Sequence, residues 1–122
     1  MITPFAAILK RAVDRTPHAI GGAFADSEGE MVDSFAKGDA FELAVITATY
    51  GIVLSQLFAV FGTWHYGSPE YFIAEHERMG VIVYWVDAGY YTLIATSQPA
   101  PLAIALDSAR TAARALKLEM GL

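Results

Sequence analysis

From Leu43 to Phe61 the chain carries no Asp, Glu, Lys, Arg or His. The run approaches the roughly 20 apolar residues that cross a bilayer, so a membrane span has to be weighed first. Thr47, Thr49, Tyr50, Ser55 and Gln56 interrupt it, no cluster of Lys or Arg flanks it, and segments with the patterning of soluble elements stand on both sides. The reading that fits is a long helix buried on more than one side, because a helix that is apolar all round must be covered all round. Asp39, with Glu42 three residues on, makes a capping-box-like start, and Gly62 marks the end. Membrane insertion is not expected.

The rest of the composition supports a packed soluble domain. With 122 residues, 55% of them hydrophobic, and a mean hydropathy of +0.40, the chain has ample apolar surface to set against ordering entropy, which excludes disorder. Thirteen acidic against eight basic side chains give a net charge of −5. A nucleic-acid binder needs a basic footprint to displace counterions, so a macromolecular partner is expected to be protein. The absence of cysteine removes disulfides, thiolate nucleophiles and Cys-based metal sites. Lys10 and Arg11 follow the short apolar run at the amino end instead of preceding it, unlike a secretory signal. A single cytoplasmic domain over 1–122 is the expectation.

Thr3 followed by Pro4 reads as an N-cap and first helical position, with Phe5, Ile8, Leu9 and Ala12 at helical spacing before a stop at Pro17. Residues 19–24 and 30–36 read as a hairpin about the turn residues Asp26-Ser27-Glu28-Gly29, and the mid-strand charge of Asp33 suits a sheet margin. After the long helix, 71–76, 81–86 and 90–96 predict a three-strand meander. Its middle run, Val81 to Val86, is apolar at every position, which calls for cover on both faces of the sheet. A last helix begins near Pro99 to Pro101 and presents Leu102, Ala105, Leu106, Ala109, Ala113 and Leu116 on one face, opposite Asp107, Arg110, Arg114 and Lys117. The predicted fold class is α+β, in the order α-β-β-α-β-β-β-α.

With that order the chain resembles the roadblock / dynein light chain family over nearly its whole length. The residues that carry the resemblance are Gly21-Gly22 in the first strand, Asp26 and Gly29 at its turn, the central helix of small and apolar residues, Gly80 before the fourth strand, and Asp87-Ala88-Gly89 before Leu93-Ile94-Ala95. The resemblance implies a five-stranded antiparallel sheet, profilin-like, with the central helix on one face and the terminal helices on the other. It also implies a homodimer formed through the central helix and the third strand, where Tyr71 and Ile73 lie. The implied role is that of an adaptor or regulator of a small Ras-like GTPase, or a partner of a second roadblock protein, in polarity, motility or trafficking complexes, as with bacterial Mgl-type relatives. On that picture Thr47, Tyr50, Leu54 and Phe58 fall where a partner would dock. The chain departs from many relatives at Gln98-Pro99-Ala100-Pro101, before the last helix.

The residues give the dimer a physical basis of their own. Ala44, Ala48, Gly51, Ser55 and Ala59 recur at steps of three and four, a stripe of small side chains that lets another backbone come close. That backbone is either a second copy's helix or the chain's own sheet. Chemistry is harder to assemble. No phosphate-binding glycine motif, nucleophile elbow or H-E-x-x-H is present, so neither catalysis nor a cofactor is expected. His18, His65 and His76 are scattered, and a metal site would require them to converge with Glu75 or Glu77. Asp26, Glu28, Glu30 and Asp33 read as a solvated hairpin, and Tyr84, Trp85, Tyr90 and Tyr91 as core. Arg78, in a turn, is the arginine most exposed by its position, but nothing marks it as a finger for a GTPase. The rival reading is a PAS-, GAF- or profilin-like sensory module enclosing a small ligand.

Overall fold

The computed structural model describes residues 2–122; Met1 lies outside them. The elements run α1 (Pro4–Arg15), β1 (Ala19–Asp26), β2 (Met31–Ala36), α2 (Ala40–Phe61), β3 (Tyr71–Glu75), β4 (Met79–Asp87), β5 (Tyr90–Ser97) and α3 (Leu102–Glu119). The order is the one expected, with β1, β4 and β5 two, three and one residues longer than the apolar runs suggest.

Local chemistry sets the ends. Thr3 caps α1 by accepting the Ala6 N–H through its hydroxyl, and the Asp39 carboxylate caps α2 by accepting the N–H groups of Phe41 and Glu42. Between β4 and β5 the chain reverses through Ala88 and Gly89, with φ of 52° and 88°. Two consecutive left-handed residues twist the turn to match the strands, which is why a glycine stands there.

The five strands form one antiparallel sheet in the order β2-β1-β5-β4-β3, so β2 and β3 are its margins. Each face carries its own core. On one, α1 and α3 pack Leu9, Val13, Ala105, Ala109 and Leu116 against Phe24, Ile82 and Ile94. On the other, α2 packs Leu43, Ile46, Tyr50 and Leu54 against Val81, Val83, Tyr91, Leu93 and Ala95. Alternate residues of β4 feed opposite cores, which accounts for its unbroken apolar run. The four aromatics read as core divide: Tyr91 is fully buried, while Tyr84, Trp85 and Tyr90 are only partly covered.

Candidate functional site: the outer face of the central helix

α2 spans 22 residues, and the sheet needs only one side of it. The side facing the sheet consists of Leu43, Ile46, Thr47, Tyr50, Gly51 and Leu54, all buried. Its polar groups are satisfied within the chain. The Thr47 hydroxyl donates to the Leu43 carbonyl at 2.7 Å, and the Tyr91 hydroxyl rises from β5 to donate to the Thr47 carbonyl at 2.8 Å. Burial, and secondarily the charge of Asp26, pushes the Tyr91 phenol up to about 12. The Tyr50 hydroxyl meets Nε2 of His76 at the far end of β3, and burial raises its pKa also.

Three of the positions placed at a docking surface are therefore inside the molecule. Thr47, Tyr50 and Leu54 share the sheet-facing side with Leu43, Ile46 and Gly51, at steps of three and four along the helix. Phe58 is half covered, edge-on to Trp85 with ring centroids 4.6 Å apart.

The small-residue stripe also serves the chain itself. A Cβ on Gly51 would stand 2.5 Å from the Tyr91 hydroxyl and 3.1 Å from Cα of Gly29, closer than atoms pack. A Cβ on Gly29, whose φ is 80°, would stand 3.2 Å from Cα of Ala48, and the Ser55 hydroxyl donates to the Ser27 carbonyl at 2.9 Å. Ala48, Gly51 and Ser55 thus seat the β1–β2 turn against the helix. Gly51 is enclosed by its own chain and is not open to a second backbone; Ala44 and Ala59 remain exposed.

The opposite side of α2 is where the structure leaves apolar surface in water. Phe41 is 76% exposed, Val45 50%, Ile52 62% and Val60 61%. They recur about one helical turn or two apart, with Ala44, Ala48 and Ala59 between them. The polar residues on this side are Glu42, Thr49 and Gln56, and Thr49 spends its hydroxyl on the Val45 carbonyl at 2.8 Å. Beyond the helix the surface continues into Trp64 and Tyr66, 54% and 82% exposed, with Phe61 edge-on to Trp64 at 4.7 Å. A contiguous apolar face of this kind marks an interaction site. Phe41, Val45, Ile52, Val60, Trp64 and Tyr66 are not marked as outward by the periodicity of the sequence. A signal was available in the hydroxyls: Thr47 and Thr49 can both bond back to their own helix, so neither needs water.

Tyr71 and Ile73 lie on β3, exposed, with the outer backbone edge of that strand unpaired in the sheet. They stand on the face of the sheet away from α2. No group of three or more His, Asp or Glu capable of holding a metal occurs among the described residues. The three histidines do not converge on a shared ligand set: His76 pairs with Tyr50, and His65 lies beside Tyr66.

No family model matches the chain, and no curated protein matches it in sequence. Solved structures match it in shape. It is similar to an MglB with a tetrameric arrangement (TM-score 0.85, 17% identity, covering 100% of this chain and 95% of that one). It is also similar to Myxococcus xanthus MglB (TM-score 0.84, 10% identity, 98% and 96%) and to a Roadblock/LC7 domain from Streptomyces avermitilis (TM-score 0.81, 13% identity, 96% and 98%). Element order, strand order and near-complete mutual coverage agree: the chain has the Roadblock/LC7 fold.

Proposed function

We propose that this protein is a non-catalytic, cytoplasmic adaptor that works as a homodimer, with the outer face of α2 sheltered by the same face of a second copy. The dimer presents a surface to a small Ras-like GTPase, or to a second roadblock protein that regulates one. The observation that carries this reading is the exposed row Phe41, Val45, Ile52 and Val60 on a helix with no charged residue after its first turn. One sheet covers one side of such a helix, and water is a poor cover for the other. A symmetric pair applies one patch twice and closes. The likeness to MglB and Roadblock/LC7 structures supports the fold on which this surface is displayed.

The rival sensory module would enclose a ligand. Clefts of about 120, 130 and 180 Å³ occur between α1 and α3, beside Ile20 and Leu43, and beside Trp85 and Lys117. Each is smaller than the roughly 300 Å³ at which small-molecule sites begin.

The test is the mass in solution by light scattering, followed by titration with a Ras-like GTPase in its GDP and GTP-analogue states. A dimer with different affinity for the two states is expected, since only differential binding shifts a switch. A ligand-free single copy at high concentration overturns the dimer, and equal affinity for both states reduces the role to a scaffold.

A further inference from the structure

Charge is segregated between the layers. Lys10, Arg11, Arg15, Arg110, Arg114 and Lys117, six of the eight basic residues, lie on α1 and α3 with three acidic ones, Asp14, Asp107 and Glu119. The helix layer is thus +3, while the rest of the chain, with Lys37 and Arg78 against ten carboxylates, is −8, which together give −5.

Within the basic layer, ion pairs engage Lys10 with Asp14, Arg15 with Asp107 and Lys117 with Asp87. Among the described residues Arg110 and Arg114 have no carboxylate within ion-pair distance, and both border a shelf of sheet that α3 leaves open. Tyr71 pairs with Tyr84 and Ile73 with Ile82 across the β3–β4 ladder. Cross-strand partners point to one face, and Ile82 and Tyr84 belong to the core beneath α3. Tyr71 and Ile73 therefore lie on the α3 side, beyond its cover. Tyr71 stacks on Tyr84 with centroids 5.5 Å apart and planes 7° from parallel. The Arg110 guanidinium lies 5.9 Å over the Tyr84 ring and donates through Nε to its hydroxyl at 3.3 Å. One N–H is thereby used, the plane is held, and the remaining donors are free for a carboxylate. Arg114 lines the adjoining cleft with Tyr84, Trp85 and Ala113.

We propose that this shelf, with Tyr71, Ile73 and Tyr84 as floor and Arg110 and Arg114 as wall, docks an acidic segment of a partner protein. An apolar side chain of the partner rests on the tyrosines and Ile73, and carboxylates meet the two guanidiniums as forked pairs. Outside the α1 and α3 layer the chain's net negative charge repels such a segment, so charge favours this side of the sheet. The shelf is on the opposite side of the sheet from the apolar face of α2 and does not depend on the dimer. If a second copy adds along β3, side chains of that strand still stand perpendicular to the sheet and keep facing the shelf.

The experiment is a titration of the isotope-labelled full chain with a short peptide of alternating Glu and Leu, read by amide chemical shifts, with a Lys–Leu peptide as the reference. Shifts confined to β3, the second half of β4 and α3 near Arg110 and Arg114 are expected, with no response to the Lys–Leu peptide. Arg110→Ala with Arg114→Ala should weaken binding at least about tenfold, the loss of one charge-assisted contact or more. Both positions lie outside the core, and unchanged amide shifts in the absence of peptide confirm the fold. Arg110→Lys should lose most of the same affinity, because an ammonium keeps the charge but not the forked donors held by the Tyr84 hydroxyl. Shifts on the outer face of α2, affinity unaltered in the double variant, or no binding overturn the proposal. So does tighter binding of phosphatidylglycerol vesicles than of the peptide through the same arginines, which would assign the shelf to a lipid headgroup.

Discussion

The two layers on either side of the sheet solve the same packing problem differently. α1 and α3 lie side by side, each with one buried face, and turn Lys10, Arg11, Asp14, Arg15, Asp107, Arg114 and Lys117 to water. Most of that layer's outer surface is charged, and its exposed apolar residues, Ile104 and Leu118 on α3 and Tyr71 and Ile73 on the open sheet beside it, form no continuous row along one helix. α2 lies alone on the other face, seals Leu43, Ile46, Tyr50 and Leu54 beneath it, and turns Phe41, Val45, Ile52 and Val60 outward. The contrast teaches that a helix can be fully satisfied toward its own sheet and still be unfinished as a surface, since burial of one side does nothing for the other.

Two substitutions on neighbouring residues separate these roles. Ile52→Glu puts a charge in the middle of the outer face and should cost association about 4 kcal/mol, roughly a thousandfold in the dissociation constant. Light scattering should then report one copy, with a far-ultraviolet spectrum like the parent's. Gly51→Leu, one position away, should instead unfold the monomer more readily, by about 3 kcal/mol in urea, because its side chain collides with the Tyr91 hydroxyl and with Gly29. If Ile52→Glu leaves the mass unchanged, or Gly51→Leu alters mass without altering stability, the two faces of α2 have been assigned the wrong way round.

Alkali should act on the α2 layer before the other. The buried phenol of Tyr91 has its pKa raised to about 12 from an ordinary 10.0, so the folded state holds its proton longer than the unfolded one. Its contribution is fully present below pH 10 and is lost as pH rises toward 12, a loss of roughly 2 kcal/mol. Chemical denaturation across that interval should show the decline, and Tyr91→Phe should flatten it. On the other layer, Thr3→Ala removes the cap of α1 and should lower stability by only about 1 kcal/mol, with no effect on mass.

Much of the fold was legible because each element announces itself by a local rule. Thr3-Pro4 and Asp39 begin helices where their side chains accept backbone N–H groups, Asp87-Ala88-Gly89 turns where two left-handed residues are needed, and the unbroken Val81–Val86 run occupies an interior strand with cover on both faces. The candidate site was legible only as a segment. Periodicity tells inside from outside when a polar face opposes an apolar one, and α2 has no such opposition. Ile46 and Ile52 are the same residue type, and only the position of the sheet decides that one is buried and the other is not. Thr47 and Tyr50 carry polar atoms that look solvent-seeking in a sequence, yet both have partners inside the chain. By its small side chains alone the stripe at Ala48, Gly51 and Ser55 can admit either a second helix or its own sheet; the hairpin turn at Ser27 and Gly29 is what comes close.

On the outer side of α2 the Thr49 hydroxyl ends on a carbonyl of its own helix, which leaves Glu42 and Gln56 as the polar side chains of that face. Little therefore remains along the outer side of α2 to impose an angle on whatever lies across it. A surface with few directional donors selects a mate mainly by contour, which tolerates rotation and sliding where a hydrogen-bonded seam would not.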